Sequence, residues 1–379
     1  AGAAAGTMSE AAAEDGPEQR VTPPPLPMAE FTPAQLARRN ELLREPVSQF
    51  RVAEHPGAVP LLDAMRAGSF QGRQLGEAAA LYERMTYEEL GIIWSLAGSL
   101  FSAGMRQVVI DGIRNGLVDV LVCTGALFEQ DMLEALGHSH YRCRPDMDDG
   151  ELQELLVDRV YDHLLDELAL RQVDTTYSAI AGSLEPGRYS SRAFLDACGC
   201  WLTRVEGVQD SVLQAAFEMD VPIFVPALND CSVGVGLVMQ QAQRGLEQSV
   251  GIDSIRDFHE LAELKAWTGD TGLLVIGGGV PKNYAQDAVI AAEMLGHTPS
   301  RHRFGIQLSV ADVRDGGLSG STLREAISWG KNDREIEEVM VWGEVSITFP
   351  LLAAYAWHKR LEQPRQPRRL ARFFDDQSF

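Results

Sequence analysis

The sequence lacks the features that mark several large classes of protein. Its five cysteines include no C-x-x-C pair, and only Cys198 and Cys200 stand close together, so neither a disulfide framework nor a structural zinc site is predicted. No apolar run approaches the ~18–20 residues of a membrane span, and no basic region precedes an apolar stretch. We therefore expect a cytoplasmic protein without a membrane partner.

Motifs for hydrolysis and for metal binding are also missing or incomplete. Neither G-x-S-x-G nor H-E-x-x-H occurs, so no hydrolase motif of these kinds supports a hydrolase function. His138 and His140 have the spacing of a metal pair in a loop, but no carboxylate or cysteine set completes the site. No metal is predicted.

Basic residues are in short supply. Lysine and arginine total 33 against 54 acidic residues, which gives a net charge of −21. Nucleic acid needs a basic binding surface, so a nucleic-acid partner is not expected. An acidic protein can draw in a cationic substrate, although solubility alone also accounts for such a charge.

What the sequence does contain is an alternation of short apolar strands and helices. With 379 residues, 45% of them hydrophobic, the chain can bury a sizeable core. The alternation predicts an α/β fold with a mainly parallel sheet flanked by helices, and we assign residues 31–362 to one large domain. Residues 1–30 are predicted to be a leader, which resembles a cloning remnant before Met8, followed by a proline-rich arm. Residues 363–379 are predicted to be a mobile tail.

Local patterns predict individual elements within the domain. Thr86 and Glu89 match a capping box and predict an apolar helix that contains Leu90 and Leu100. The spacing of leucines and valines predicts a further helix over residues 151–170. Buried strands are predicted in "LVDVLVC", "VPIFVPAL", "GLLVIGGG" and "RFGIQLSV".

Three of the predicted strands end in small or polar residues. Thr124 and Gly125 follow the first strand, Asp230 follows the second, and glycines 277–279 follow the third. Glycines at the carboxyl end of a parallel strand let backbone amides approach a phosphate at a helix N-terminus. A tight turn without a ligand would explain any one loop, but the three together predict a crevice for a nucleotide-like ligand.

Lys331 lies in the stretch "STLREAISWGKND", and its role can be structural or chemical. Thr322 and Glu325 match a capping box, Gly330 ends the short helix, and Lys331 would complement the helix dipole. The alternative is chemical: beside an aromatic wall from Trp329, with Glu325 as an acid–base or cation-binding neighbour, a desolvated lysine can attack carbon. The residues alone leave both interpretations open.

A family resemblance favours the chemical interpretation. The segments "VDVLVCTGALFEQD", "VPIFVPALND", "LLVIGGGVPKN", "GGLSGSTLREAISWGK" and "ITFPLL" resemble the deoxyhypusine synthase family, in the order of that family and over about residues 90–355. The resemblance implies a Rossmann-like fold, NAD as redox cofactor and a homotetramer with active sites at subunit interfaces. It also implies transfer of an aminobutyl group from spermidine, as an imine on a lysine, to an acceptor amine. The acceptor is a lysine of a translation factor in deoxyhypusine synthases and putrescine in the related homospermidine synthases.

The resemblance also implies roles for single residues. Lys331 matches the imine-forming lysine, with Trp329 and Glu325 beside the substrate. The matches to NAD-binding positions, with Ser102 and Glu129 as weaker members, are Ser102, Thr124, Glu129, Asp230, Gly278, Gly279, Asp315, Ser319 and Gly320.

The substrate pocket departs from the family pattern. Asn283 and Tyr284 stand where the family has two histidines, and Val235 and Leu318 replace two acidic residues. Because an ammonium group buried without a partner costs several kcal/mol, spermidine could not be held in the usual way.

Asp287, in the helix after the glycines, is the candidate to supply part of the missing charge, and Asn283 is a second candidate for the remodelled pocket. This pattern resembles the bacterial deoxyhypusine synthase-like branch of the family. We expect an NAD-dependent aminoalkyl transferase acting on a polyamine, with its protein acceptor open. A homospermidine-synthase-like enzyme and a non-catalytic NAD-binding scaffold are the alternatives.

Overall fold

The structure, a computed structural model, describes residues 31–375. The predicted leader and proline-rich arm in residues 1–30 lie outside the described residues. The described residues divide into a unit of residues 31–46 and a unit of residues 47–375. In the first unit, helix α1 (Pro33–Leu42) begins with a capping box in which Thr32 Oγ1 accepts from Gln35 N and Gln35 Oε1 accepts from Thr32 N.

The second unit contains the remaining helices and all the strands of the described residues. The helices are α2 (Ala58–Met65), α3 (Phe70–Tyr87), α4 (Arg106–Arg114), α5 (Ala126–Ala135), α6 (Asp149–Glu154), α7 (Glu167–Ser183), α8 (Ser191–Leu202), α9 (Val212–Glu218), α10 (Ser232–Arg244), α11 (Ser254–Thr268), α12 (Val280–Met294), α13 (Glu325–Ser328) and α14 (Val345–Arg360). The strands are β1 (Gly91–Leu96), β2 (Val120–Cys123), β3 (Tyr141–Arg142), β4 (Val157–Val160), β5 (His163–Asp166), β6 (Gly187–Tyr189), β7 (Ile223–Phe224), β8 (Val250–Ile252), β9 (Thr271–Ile276), β10 (His302–Ser309) and β11 (Asn332–Trp342).

The main sheet has six strands in the order β11-β10-β9-β1-β2-β7, and every pair in it is parallel. A small antiparallel sheet (β3-β5-β4) and a parallel pair (β6-β8) lie outside it. The predicted α/β fold with a mainly parallel sheet flanked by helices is therefore confirmed, as are the strands predicted in "LVDVLVC", "GLLVIGGG" and "RFGIQLSV". In "VPIFVPAL" only Ile223–Phe224 forms a strand.

Both faces of the sheet are buried. Successive side chains of β1 alternate between two hydrophobic clusters: Ile92 and Trp94 pack into one cluster, and Ile93 packs into the other. Helices cover both faces, so the central strands contain consecutive apolar residues instead of alternating apolar and polar ones.

The predicted helix after Thr86 and Glu89 is wrong. Helix α3 ends at Tyr87, Thr86 Oγ1 donates to Glu83 O inside that helix, and residues 91–96 form strand β1. A strand buried on both faces has an apolar residue at almost every position, so it also matches the helical spacing that the prediction used.

The predicted helix over residues 151–170 is also wrong. Helix α6 ends at Glu154, β4 and β5 form a hairpin that pairs Val160 with His163, and α7 begins at Glu167. Leu156 and Tyr161 have φ values of 55° and 52°, which an α-helix does not accommodate.

The predicted mobile tail is packed as far as residue 375. Arg365 is buried, donates to the carbonyl oxygens of Leu90 and Gly116, and forms a buried ion pair with Asp119 at 2.7 Å. Leu370 is buried as well. A basic residue of this segment therefore anchors it to the sheet near the start of β2, which Asp119 precedes.

The strand order reverses between β1 and β9. From β1 the chain moves outward to β2 and β7, and it then returns to β9 on the other side of β1. In open α/β sheets, ligands bind outside the carboxyl ends of the strands at such a reversal. None of the helices in residues 31–375 has the length and apolarity that crossing a membrane requires.

Candidate active site at the carboxyl edge of the sheet

Two loops meet at the point where the strand order reverses. Residues 97–99 follow β1, and residues 277–279 follow β9. Gly277 and Gly278 have φ values of 67° and 53°, and a Cβ on Gly278 would lie 2.1 Å from the Cβ of Ala97. Only glycine fits this close approach, so the backbone of the loop faces the crevice without side chains.

Helix α12 starts directly after these glycines. Its N-cap residue is Gly279, and no side chain caps the helix, so the backbone N–H of Val280 is available to an anion, whereas Pro281 has no N–H to donate. A Cβ on Gly279 would lie 2.7 Å from Ser319 N and 2.5 Å from Leu318 Cβ. The loop after β10 therefore closes on the glycine loop and brings Gly278, Gly279 and Ser319 together.

The other predicted members of the β10 loop have structural contacts of their own. The carbonyl of Ser319 accepts from Ser309 Oγ at 3.1 Å, and Gly320 lies so close to the carbonyl of Asp312 that a Cβ would meet it at 2.2 Å. Asp315 is exposed, and its Oδ1 accepts from Gly317 N at 2.7 Å. These contacts hold the loop against the end of the sheet.

Thr124 provides an independent sign of a ligand at this edge. Its backbone N–H donates to the carbonyl of Leu96, which joins the ends of β2 and β1. Its hydroxyl oxygen is buried and has no hydrogen-bond partner within the described residues. Because buried polar groups are normally satisfied, this hydroxyl is available to a ligand in the crevice.

Acidic side chains lie farther along the same edge. Glu129 Oε2 accepts from Ser232 N at 3.0 Å, and burial, with a further contribution from the nearby Asp174 and Asp230 carboxylates, raises the pKa of Glu129. Asp230 itself is exposed. Carboxylates at this position relative to a glycine loop are suited to bind ribose hydroxyls.

Ser102 lies in the helical turn after β1. Its backbone N–H donates to Gln130 Oε1 at 3.0 Å, and its hydroxyl donates to the carbonyl of Ser99 at 2.9 Å. The predicted cofactor residues thus lie along the carboxyl ends of the central strands, although Ser102 also serves its own turn.

Lys331 lies at the other side of the N-terminal turn of α12. Its backbone N–H donates to the carbonyl of Ala326 and completes the turn that ends α13. Its Nζ lies 2.8 Å from Asn283 Oδ1, 2.7 Å from Asp287 Oδ1 and 5.4 Å from the centre of the Trp329 ring. The side chain is only 12% exposed. The lysine therefore ends a helix and also extends its amine into a polar site.

Asn283 and Asp287 lie on the same face of α12, one turn apart. Asn283 Nδ2 donates to Asp287 Oδ2 at 2.6 Å, so the two side chains orient each other as well as Lys331. A carboxylate oxygen and an amide oxygen therefore both lie within hydrogen-bonding distance of Lys331 Nζ.

These residues line a cavity of about 400 Å³. Glu325 lines it too. Only half of the predicted capping box is present: Glu325 N donates to Thr322 Oγ1 at 3.1 Å, but the Glu325 carboxylate accepts from Thr322 Oγ1 instead of the Thr322 backbone N–H, and the N-cap residue of α13 is Arg324. The predicted catalytic and substrate-binding residues that share this cavity are Asn283, Asp287, Glu325, Trp329 and Lys331.

The two replaced acidic positions differ in their surroundings. Leu318 lines the cavity and is 47% exposed, so an apolar side chain does stand at the rim of the Lys331 cavity. Val235 is exposed on α10 and is not among the residues of the described chain that line this cavity.

Sequence reasoning missed three features of the site. Lys282 is buried, and its Nζ donates to the carbonyls of Leu318 and Ser321, which fixes the loop that borders the cavity; burial lowers the pKa of Lys282 to about 8. Gln286 lines the cavity from α12. The loop of residues 97–99 was not predicted, because the wrong helix prediction covered it. The Gly98–Ser99 pair after an apolar run could have indicated a loop there.

A metal site is not found in the described part of the chain. His138 Nε2 lies 2.9 Å from Gln172 Oε1, and His140 Nδ1 lies 3.0 Å from Glu134 Oε1. No group of three or more histidine, cysteine or acidic side chains in residues 31–375 is arranged to hold an ion.

Comparison with known proteins identifies the family. The deoxyhypusine synthase family model matches residues 60–356. A deoxyhypusine synthase-like protein of Chlorobaculum tepidum is 45% identical over 336 residues, which cover 88% of this chain and 95% of the relative. A deoxyhypusine synthase-like protein of Coxiella burnetii is 44% identical over 343 residues, with 90% and 97% covered.

A solved structure supports the fold. It comes from Entamoeba histolytica, is named provisionally as a deoxyhypusine synthase, and superposes with a TM-score of 0.55 at 15% identity over 82% of this chain and 97% of its own. At that identity the likeness concerns the fold alone. Since the family model and the relatives cover most of its length, the chain belongs to the deoxyhypusine synthase family.

Proposed function

We propose that the protein is an NAD-dependent aminoalkyl transferase. It would take an aminobutyl group from a polyamine or a related amine, hold the group as an imine on Lys331, and pass it to an acceptor amine. The observation that carries this proposal is the environment of Lys331 Nζ, which lies between Asn283 Oδ1 and Asp287 Oδ1 in a cavity walled by Trp329.

The carboxyl edge of the sheet fits a dinucleotide. The glycine loop and the uncapped start of α12 suit a pyrophosphate. The Thr124 hydroxyl has no hydrogen-bond partner in the described residues, and the carboxylates near α5 suit ribose hydroxyls. When bound, NAD would accept a hydride from the donor and later return it. The residues that would hold it are Ser102, Thr124, Glu129, Asp230, Gly278, Gly279, Asp315, Ser319 and Gly320.

The residues around Lys331 suit imine exchange. Removal of a hydride and a proton from the CH–NH unit of the donor leaves a C=N bond. Neutral Lys331 Nζ would add to that carbon, the C–N bond to the rest of the donor would break, and the released amine would leave with the two hydrogens of the lysine amine, so that a new C=N bond joins the carbon to Lys331 Nζ. The acceptor nitrogen would then displace Lys331 in the same way, and NAD, when bound, would supply the hydride for the new C=N bond.

Asp287 is the group placed to handle the lysine proton. An amine attacks carbon only after it has lost its proton, and Asp287 Oδ1 is a carboxylate oxygen at 2.7 Å from Lys331 Nζ. Asn283 accepts from the same nitrogen and fixes its direction. Trp329 offers an aromatic face to the cationic groups that pass through the cavity.

The substrate side of the proposal is a small cationic amine. Glu325 and Asp287 bring negative charge to the cavity, and neither Leu318 nor Trp329 adds any. The family supports a homotetramer with active sites at subunit interfaces. A homospermidine-synthase-like reaction, with putrescine as acceptor, is distinguished from transfer to other small amines by the experiment below.

A non-catalytic NAD-binding scaffold is the second candidate. It is favoured by Leu318, an apolar side chain where the family has an anion to hold the donor. It is opposed by Lys331, whose amine extends into the cavity between Asn283 and Asp287 instead of into solvent.

The test is incubation of the full chain with NAD and a panel of di- and triamines, followed by mass analysis of the products. Transfer of an aminobutyl group between amines supports the proposal, and Lys331→Ala should abolish transfer while NAD still binds. The matched control is Lys359→Ala, because Lys359 lies on α14 and pairs with Asp63 and Glu83. Full transfer by Lys331→Ala would refute the assigned role.

A further inference from the structure

A second, larger cavity adjoins the Lys331 cavity. Its volume is about 850 Å³, against about 400 Å³ for the Lys331 cavity, and Thr322 and Glu325 line both. Lys331 lines only the smaller one. The larger cavity is therefore a separate space that meets the candidate active site at Thr322 and Glu325, and the roles assigned so far leave it without a ligand.

Two elements bring aromatic side chains to the larger cavity. Glu338, Met340 and Trp342 are alternate residues of β11, so their side chains project from one face of that strand and line the cavity together. Phe70, in the first turn of α3, lines it as well. Gln71 Oε1 accepts from Trp342 N at 2.7 Å, and this hydrogen bond joins the start of α3 to the end of β11.

Both aromatic residues are available to a ligand. Phe70 is 87% exposed and Trp342 is 43% exposed, so the Phe70 ring gains little from packing against the protein. Phe70 also has a φ of 58°, a left-handed backbone conformation that strains a bulky residue. Such strain is typical of residues that hold ligands. The two rings therefore offer a ligand an aromatic, apolar surface beside the active site.

The charges of the larger cavity suit a single ammonium group. Arg324 Nε pairs with Glu338 Oε1 at 2.7 Å, and Arg73 Nε pairs with Glu77 Oε1 at 3.6 Å. The Glu325 carboxylate is exposed and forms no salt bridge within residues 31–375. An ammonium group thus finds one available carboxylate, at the end shared with the Lys331 cavity. A second ammonium group, as on putrescine, would lie near the two arginines without a carboxylate of its own.

We propose that the larger cavity binds the acceptor of the transfer, and that this acceptor is a primary amine on an aromatic or apolar body, such as an arylalkylamine. Its ammonium group pairs with Glu325, and its ring packs against Phe70 and Trp342. This proposal names the acceptor of the transferase and rests on the proposed function.

The exchange balances with this acceptor. Its nitrogen, once deprotonated, forms a C–N bond to the carbon held on Lys331, and the bond from that carbon to Lys331 Nζ breaks. The two hydrogens of the acceptor amine return to the lysine, and a C=N bond now joins the carbon to the acceptor. The hydride taken from the donor and one proton reduce this bond to a secondary amine.

The test compares two acceptors that differ at one end. 4-Phenylbutylamine and putrescine share a primary amine on a butyl chain, which ends in a phenyl ring in the first and in a second ammonium group in the other. Binding of each to the full chain with NAD is measured by calorimetry. The wild type should bind 4-phenylbutylamine more tightly. Phe70→Ala should weaken that binding by about tenfold, the factor that corresponds to about 1.4 kcal/mol, and leave putrescine binding unchanged.

Tyr161→Ala is the matched control. Tyr161 is 72% exposed and has a φ of 52°, but it lies in the β4–β5 hairpin, away from the residues that line the cavity. Equal or tighter binding of putrescine by the wild type, or equal effects of Phe70→Ala and Tyr161→Ala, overturns the inference. Binding of neither amine overturns it too, and dissociation of Phe70→Ala in sedimentation would then assign the cavity to a contact between copies of the chain.

Mass analysis after addition of NAD and each donor of the panel separates this inference from the proposed function. Binding of 4-phenylbutylamine that depends on Phe70, without transfer from any donor, would uphold the amine-binding cavity and refute the transferase. An aminobutyl adduct on Lys331 after borohydride reduction, with 4-phenylbutylamine neither bound nor aminobutylated, would uphold the transferase and refute this acceptor.

Discussion

The packing of the C-terminal segment makes a quantitative prediction about stability. Arg365 and Asp119 form an ion pair at 2.7 Å, with side chains only 7% and 1% exposed. Arg365 also donates to the carbonyls of Leu90 and Gly116, and Asp119 accepts from Ile92 N. The pair thus joins the C-terminal segment to the strands at the centre of the sheet.

Replacing Arg365 with methionine removes four hydrogen bonds and leaves the Asp119 charge buried without its partner. Breaking a buried pair in this way costs about 3–5 kcal/mol, because the uncompensated charge stays in the interior. Asp119→Asn in the Arg365→Met background removes that charge, and it should recover part of the loss. Both changes lie at the edge of the sheet opposite the glycine loops, so NAD affinity of the folded variants should be unchanged.

The assay is equilibrium unfolding in urea, followed by circular dichroism. Arg372→Met is the matched control: Arg372 pairs with Asp220 in the same segment, but its side chain is 61% exposed, so a loss of about 0–1 kcal/mol is expected. If Arg365→Met lost no more than this control, the segment would not be anchored by Arg365 and the reasoning would be refuted.

Three further predictions concern the site. Burial lowers the pKa of Lys282 from 10.5 to about 8, so between pH 8 and 10.5 the unfolded state binds one proton more than the folded state. The free energy of unfolding of the wild type should therefore rise with pH across this window relative to that of Lys282→Met. Parallel pH profiles of the two proteins would contradict the prediction. Gly278→Ala should weaken NAD binding in calorimetry because its Cβ would lie 2.1 Å from the Ala97 Cβ. Gly296→Ala, also at a positive φ (92° against 53° for Gly278) but with open space around it, should leave NAD binding intact; equal effects would exclude the close approach as the cause. Leu318→Asp should tighten spermidine binding by about tenfold through a new charge-assisted hydrogen bond at the cavity rim, and an unchanged affinity would show that position 318 does not face the amine.

The limits of the sequence-based prediction have physical causes. Periodicity predicted the strands of the sheet where turn residues bounded them, as in "GLLVIGGG". It failed for β1, because a strand buried on both faces has no alternation to distinguish it from an apolar helix. It failed again at residues 151–170, where the positive φ values of Leu156 and Tyr161 leave no mark in the hydrophobic pattern.

The site was predictable where its chemistry lies in one continuous motif. Lys331, Trp329 and Glu325 come from a single block of the sequence, and the structure places them around one cavity. The contact of Lys331 with Asn283 spans 48 residues and depends on how α12 packs beside the end of α13, which no spacing rule reveals. Gln286 was missed because a buried polar residue in a helix looks like any solvated one until its neighbours are known.

The central claim is that Lys331 forms a covalent imine with an amine donor. The chain has only four lysines, at positions 265, 282, 331 and 359, so borohydride reduction in the presence of NAD and a donor, followed by peptide mass mapping, assigns any adduct to one of them. Lys265 and Lys282 are buried and their amines donate to carbonyl oxygens, so a donor in solution does not reach them. The account predicts an adduct of aminobutyl mass on Lys331 that requires NAD and is lost in Lys331→Ala. An adduct on another lysine, or none on Lys331 with any donor that binds, would contradict it.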